Sequence, residues 1–186
     1  MPYACKLTTK VRAAVALTTL GVLVAIPAPF ALSDGSGGVG PGASAPGGGA
    51  GADEGVFPVR GKYTYGDGLG AGRNHQGVDL MAKCGKAVVA SYPGRVQVRD
   101  YHGAAGNYVV VDGAGSLLDT AYMHLRAPSK LRKNERVEAG EVIGRVGDTG
   151  RASACHLHFE MWSQPGWYEG GSPVDPLPYL RAWDRA

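Results

Sequence analysis

Helical periodicity is absent from this chain over any length that matters, which leaves its apolar residues to short strands and turns. Cysteine is scarce. Only Cys5, Cys84 and Cys155 occur, none with a CxxC partner, and this argues against a zinc site built from thiolates. An excess of positive charge is also missing once the chain is divided. Lysine and arginine number 19 against 16 acidic residues, but Lys6, Lys10 and Arg12 lie in the first 31 residues, which hold no acid, so the rest balances at 16 against 16. No electrostatic case for nucleic acid survives. The one local cluster, Lys130, Arg132, Lys133 and Arg136, reads as a solvated face. The glycines between Gly66 and Gly72 are followed by neither a lysine nor a helix signal, so they are loop residues and not a phosphate cradle.

There is one long apolar run, Ala13 to Ile26, preceded by the three basic residues and followed by Pro27-Ala28-Pro29-Phe30-Ala31. Residues 1–31 therefore have the form of a secretory signal peptide, and export to the cell envelope or beyond is expected. Extended through Leu32, the run also approaches the length of an uncleaved anchor; without that anchor no stable membrane insertion is expected. Cys5 lies ahead of the apolar core, where a lipidated cysteine would not sit. Residues 32–55 hold ten glycines and almost nothing apolar, the composition of a flexible linker. The folded unit is expected over 56–186, as a monomer.

Within it the alternation is that of strands. Tyr63-Thr64-Tyr65, Val78 to Met81, Ala87 to Ala90, Arg95 to Arg99, Tyr108 to Val111 and Leu117 to His124 are strand candidates between glycine-rich turns. Asn134 to Gly150 adds shorter ones, and Pro173 to Leu180 reads as a closing segment. The fold class expected is all-β, a compact, mostly antiparallel sheet with little helix.

One stretch organises the chemistry. In His156-Leu157-His158-Phe159-Glu160-Met161 the apolar residues alternate with two imidazoles and a carboxylate, so one face packs and the other works. The two rings lie roughly 7 Å apart along the strand, close enough for one to hold a metal while the other reaches water or substrate, or for both to be ligands. Glu160 reads as a surface carboxylate, or else as an acceptor orienting a ligand. His75 and Asp79 add an imidazole and a carboxylate four residues apart, and His124 follows another strand. Imidazole and carboxylate both suit a borderline ion such as zinc. Trp162, Trp167 and Tyr168 are candidates for a polymer groove or for aromatic cover over a sheet edge. With the leader removed, Cys84 and Cys155 make an even pair in an oxidising setting, and a disulfide between them is expected.

Taken together, His75-Gln76-Gly77-Val78-Asp79, Gly94, Val96, Gly106-Asn107, Tyr122-Met123-His124-Leu125, Gly140, Gly144, Gly147-Asp148-Thr149-Gly150, His156-Leu157-His158-Phe159-Glu160 and Pro173-Val174-Asp175-Pro176 resemble the lysostaphin-type zinc metallopeptidases. The resemblance runs over nearly all of Phe57 to Leu180. It implies one Zn²⁺ held by His75, Asp79 and His158, with His124 and His156 as catalytic histidines outside the ligand set. It implies a substrate groove across the sheet and, as activity, hydrolysis of peptide bonds in the stem or cross-bridge peptides of bacterial peptidoglycan. Two other functions fit the same residues: a noncatalytic wall-binding or hydrolase-activating domain, and a protease for glycine-rich or elastin-like protein.

Overall fold

The computed structural model describes residues 55–72, 74–113 and 118–185. The expected leader and nearly all of the expected linker lie outside these residues. Ten strands and one short helix are described: β1 Tyr63–Tyr65, β2 Val78–Ala82, β3 Ala87–Val89, β4 Gly94–His102, β5 Gly106–Gly113, β6 Leu118–Leu125, β7 Arg136–Val137, β8 Val142–Arg145, β9 His156–Ser163, β10 Pro173–Val174 and α1 Leu177–Trp183. The main sheet runs β1-β2-β9-β6-β5-β4-β7, every pair antiparallel, with β10 alongside the second half of β9. β3 and β8 form a separate two-stranded sheet. Among the described residues no helix is long and apolar enough to cross a membrane.

Register turns the sequence alternation into two faces. Val78 pairs with Phe159 and Phe159 with Tyr122, and this row of three buried side chains faces the main core. The next row, Asp79, His158 and Met123, points the other way. Val78, Phe159 and Tyr122 are all but inaccessible, and the Tyr122 hydroxyl is spent on the Ser91 N–H at 2.7 Å and Thr120 Oγ1 at 3.0 Å. The packed face thus holds the row that carries the chemistry.

The close pairing of β2 and β9 depends on one glycine. A Cβ on Gly77 would stand 2.2 Å from the Phe159 carbonyl oxygen, a backbone atom with nowhere to go. Gly77→Ala is expected to cost ~3 kcal/mol, the upper part of the range for overpacking, and to be seen as a lowered urea midpoint. An unchanged midpoint would mean that the two strands yield more easily than their packing implies.

Strict alternation from Tyr122 would send His124 into the core. Instead the pairing with β5 shifts by one residue between Tyr122 and Leu125, and His124 takes a φ of 60° with its N–H on Ala105 O at 2.8 Å. This β-bulge returns Leu125 to the core and turns the imidazole to the opposite face.

Cys84 and Cys155 are joined, with 71 residues of sequence separation, linking the turn after β2 to the residue before β9. In the chain-entropy model, closing such a loop in the unfolded chain stabilises the fold by about 4 kcal/mol. The Cys84→Ser/Cys155→Ser double variant should therefore lose roughly that amount in urea unfolding relative to the oxidised protein. A loss below ~1 kcal/mol would show that the sheet alone constrains these ends.

The closing segment differs from expectation in one respect. Leu177–Trp183 is a helix, entered through Pro176 and Pro178, with Leu180 and Trp183 three residues apart on its buried side. Prolines are compatible with a first helical turn because those N–H groups have no partner inside the helix. Seven residues are too few to show a period in the sequence.

Candidate metal centre

Five side chains from four parts of the chain meet on the face opposite the core. His75 comes from the loop before β2, Asp79 from β2, His156 and His158 from β9, and His124 from the bulge of β6. Each imidazole has one nitrogen fixed by an oxygen that can only accept. His75 Nδ1 donates to Gly68 O at 2.9 Å, His124 Nδ1 to Thr149 O at 2.8 Å, and His156 Nδ1 to Ala154 O at 2.8 Å. His158 Nε2 meets Glu160 Oε1 at 2.9 Å. A neutral ring with one nitrogen donating carries a lone pair on the other, so the four histidines turn four lone pairs away from these anchors.

Two of them converge on one oxygen. His75 Nε2 and His158 Nδ1 both lie 3.0 Å from Asp79 Oδ1, and ligand atoms of the three residues fall within 4.8 Å of one another. Two lone pairs and a carboxylate that close repel unless protons or a cation stand among them. Two imidazoles and a carboxylate are a donor set that zinc accepts, so the residues fit the ion. His156 Nε2 is 3.7 Å from the same oxygen, too far for a hydrogen bond. The His124 ring lies 4.6 Å from that of His156. A second group, Cys84, Asp148 and Cys155, offers no thiolates because its cysteines are joined.

Electrostatics agree with a cationic centre. Burial pushes the Asp79 carboxyl up, but the hydrogen bond from His158 and the charges of His158, His156 and His75 outweigh it and hold the group below the usual carboxylate range. Burial pulls His158 down, yet Asp79 and Glu160 together raise it to about 9. The negative field that favours a proton there equally favours a divalent ion in its place. His124 is depressed to about 4, first by burial and then by the neighbouring imidazoles, against the pull of the Thr149 carbonyl. It is neutral at pH 7, with Nε2 free to accept.

Around these groups lies a groove of about 710 Å³. Trp167 and the 63 % exposed Tyr168 line it, but Trp162 is buried, 3 % exposed, and lies outside its walls. The placement of Glu160 is a second correction. It is no surface carboxylate: it is 3 % exposed and receives three N–H groups, from His158, Trp162 and Trp167. Two of these partners share β9 with it, but the third, Trp167, comes from the loop after the strand, and alternation along β9 gives no sign of such cover. His102, Tyr108 and Arg151 also reach the groove without having been singled out in the sequence. His102 ends β4, Tyr108 lies within β5 and Arg151 is in a loop, and no local pattern marks them.

An antiparallel sheet carrying a His/Asp/His cluster in a surface groove is the arrangement of the lysostaphin-type zinc metallopeptidases. The chain belongs to that class, as a member of peptidase family M23, whose family model matches residues 73–176. Among curated relatives, a DD-carboxypeptidase/endopeptidase of Neisseria meningitidis is 39 % identical over 105 residues, 56 % of this chain and 22 % of the relative. An L-Ala–D-Glu endopeptidase of Bacillus subtilis is 31 % identical over 143 residues, covering 69 % and 43 % of the two chains. Lysostaphin from Staphylococcus simulans superposes with a TM-score of 0.59 at 28 % identity, over 65 % of this chain and 50 % of that one. A zinc-containing peptidase from Vibrio cholerae gives 0.56 at 30 % identity, covering 67 % and 38 %. The match thus spans about a fifth of the length of the first of these relatives.

Proposed function

We propose that this protein is an exported zinc endopeptidase that hydrolyses peptide bonds in the stem or cross-bridge peptides of bacterial peptidoglycan. The observation that carries the reading is the convergence of His75 Nε2 and His158 Nδ1 on Asp79 Oδ1, with the lone pairs of two further imidazoles facing the same groove. Relatives named for cutting peptidoglycan, and others named for D,D-, L-Ala–D-Glu or glycyl-glycine peptidase activity, support the substrate class and leave the bond to be identified. In the same reading residues 1–31 direct export, 32–55 are a linker and 56–186 are the peptidase domain.

His75, Asp79 and His158 would hold one zinc ion. When bound, zinc polarises a carbonyl and acidifies water at an open coordination position. The remaining work belongs to His124 and His156. With Nδ1 of each committed to a backbone carbonyl, each ring presents Nε2 to the groove, ready to take the proton of the attacking water. The imidazolium so formed lies beside the developing oxyanion, stabilises it, and returns the proton to the leaving amine. Thr149 O and Ala154 O set the tautomers. Trp167, Tyr168, His102 and Tyr108 line the groove beside these histidines and offer aromatic surface to a peptide strand.

The test is release of new amino groups from purified peptidoglycan by the zinc-loaded protein, with mass spectrometry of the products. Muropeptides cut at one defined peptide bond are expected. No products from folded protein with one zinc per chain would sink the reading.

A further inference from the structure

Glu160 is a carboxylate in a place that admits little else. Its Oε1 takes the His158 ring at 2.9 Å, and its Oε2 takes the indole N–H of Trp162 at 2.8 Å and that of Trp167 at 2.9 Å. At 3 % exposure no solvent replaces a lost partner. All three neighbours are N–H groups, and only an acceptor at both oxygens satisfies them. Glutamine is nearly the same size but presents an NH₂ on one side. That NH₂ must face either His158 Nε2–H or both indoles, donor against donor in a buried site, which costs the full desolvation of the groups left unpaired.

Trp167 belongs to the loop after β9, and that loop is held at two more points. Its backbone N–H donates to Asp119 Oδ2 at 2.9 Å. The neighbouring Tyr168 hydroxyl reaches Gln76 Oε1 at 2.7 Å, one residue from His75. The wall of the groove is therefore hydrogen-bonded toward the segments that carry His75 and His158, and through Glu160 it is two hydrogen bonds from the His158 ring.

We infer that Glu160 is a positioning residue that couples this aromatic loop to His158, so that the orientation of the metal-binding ring and the seating of the groove wall are set together. The inference rests on His158 being a zinc ligand. Its consequence is reciprocal, as any coupling between two equilibria must be: ordering the ring by zinc orders Trp167, and loosening Trp167 weakens the hold on zinc. A peptide that packs on Trp167 then stiffens the metal centre that is to cut it.

The test compares wild-type protein with Glu160→Gln and Trp167→Phe, measuring zinc affinity by competition with a chromophoric chelator and tryptophan emission during zinc titration. Trp183 packs against Phe159 and Tyr92 in the core and supplies a constant background. In wild type the emission is expected to change and to saturate at one equivalent of zinc. Glu160→Gln should bind zinc about 10- to 100-fold more weakly, the usual effect of removing a carboxylate behind a ligating imidazole, and should lose the emission change. Trp167→Phe keeps an aromatic ring and removes one N–H, so its affinity should fall about threefold, the share of one hydrogen bond to a carboxylate still held by Trp162. Zinc affinity equal to wild type in either variant would overturn the coupling, and Trp167→Phe decides the matter if Glu160→Gln does not fold. Wild-type protein that binds no zinc would overturn the zinc reading and this inference with it.

Discussion

His158→Ala is expected to reduce zinc from one per chain to less than about a tenth in a stoichiometric titration, and to bring peptide-bond hydrolysis down by at least ~10³-fold. The size follows from what the ring does. His158 Nδ1 is one of two nitrogens directed at Asp79 Oδ1, and its other nitrogen is tied to buried Glu160, so truncation removes a proposed ligand and strips the carboxylate of a partner. Three donors become two, and catalytic zinc sites are built on three protein ligands. Asp79→Ala should behave alike, because both imidazoles converge on that carboxylate. The measurements are metal analysis after gel filtration and the amino-group assay on peptidoglycan. A His158→Ala protein that retained one zinc and wild-type rates would displace this residue from the site altogether.

His156→Ala and His124→Ala should separate the two properties that His158→Ala removes together. Each is expected to keep one zinc per chain and to lose hydrolysis by about 10²- to 10⁴-fold, the range for a positioned proton-transfer group. The structural reason for retention is distance: His156 Nε2 stands at 3.7 Å from Asp79 Oδ1, while the proposed ligands stand at 3.0 Å. If the two rings act as a unit, the double variant should lose little more than the worse single one. A loss of zinc in proportion to activity would make the altered histidine a ligand and not a proton carrier. Comparing kcat with KM adds a further check, since proton transfer in the transition state lowers kcat and leaves substrate binding nearly as it was.

Much of this was legible from residue order, for identifiable reasons. The strand holding His156, His158 and Glu160 announced itself by period two, and the same alternation gave β2, β4, β5 and most of β6. Once β2 and β9 pair with Asp79 opposite His158, the centre follows from strand parity. His124 did not follow that way. Its placement depends on a one-residue bulge and a positive φ, and neither leaves a mark in a sequence where tyrosine, methionine, histidine and leucine simply succeed one another. For Glu160 the sequence leaves two readings, and the structure fits the acceptor that orients a ligand and not the surface carboxylate, because alternation distinguishes two faces of a strand but does not tell whether the second face is wet. What dries it is Trp167, seven residues on and beyond a turn. The closing helix is too short to show a period, and Trp162, a candidate for the groove or for aromatic cover, shares strand parity with His158 and Glu160. Its indole does point that way, but it ends beneath the groove on the carboxylate.

The order of strands in the main sheet also has a consequence for the birth of the molecule. β9, the last but one of the described strands in chain order, lies between β2 and β6 in the middle of the sheet, and it carries two of the four histidines of the centre. A nascent chain lacking it can pair β4 with β5 and β5 with β6, but β1 and β2 have no neighbour to join them to that sheet. Distant pairings of this kind close late in folding. An incomplete or stalled chain thus holds His75 and Asp79 with nothing opposite them. The candidate centre is complete only once β9 has joined β2 to β6, so a chain that stops short of β9 cannot assemble it.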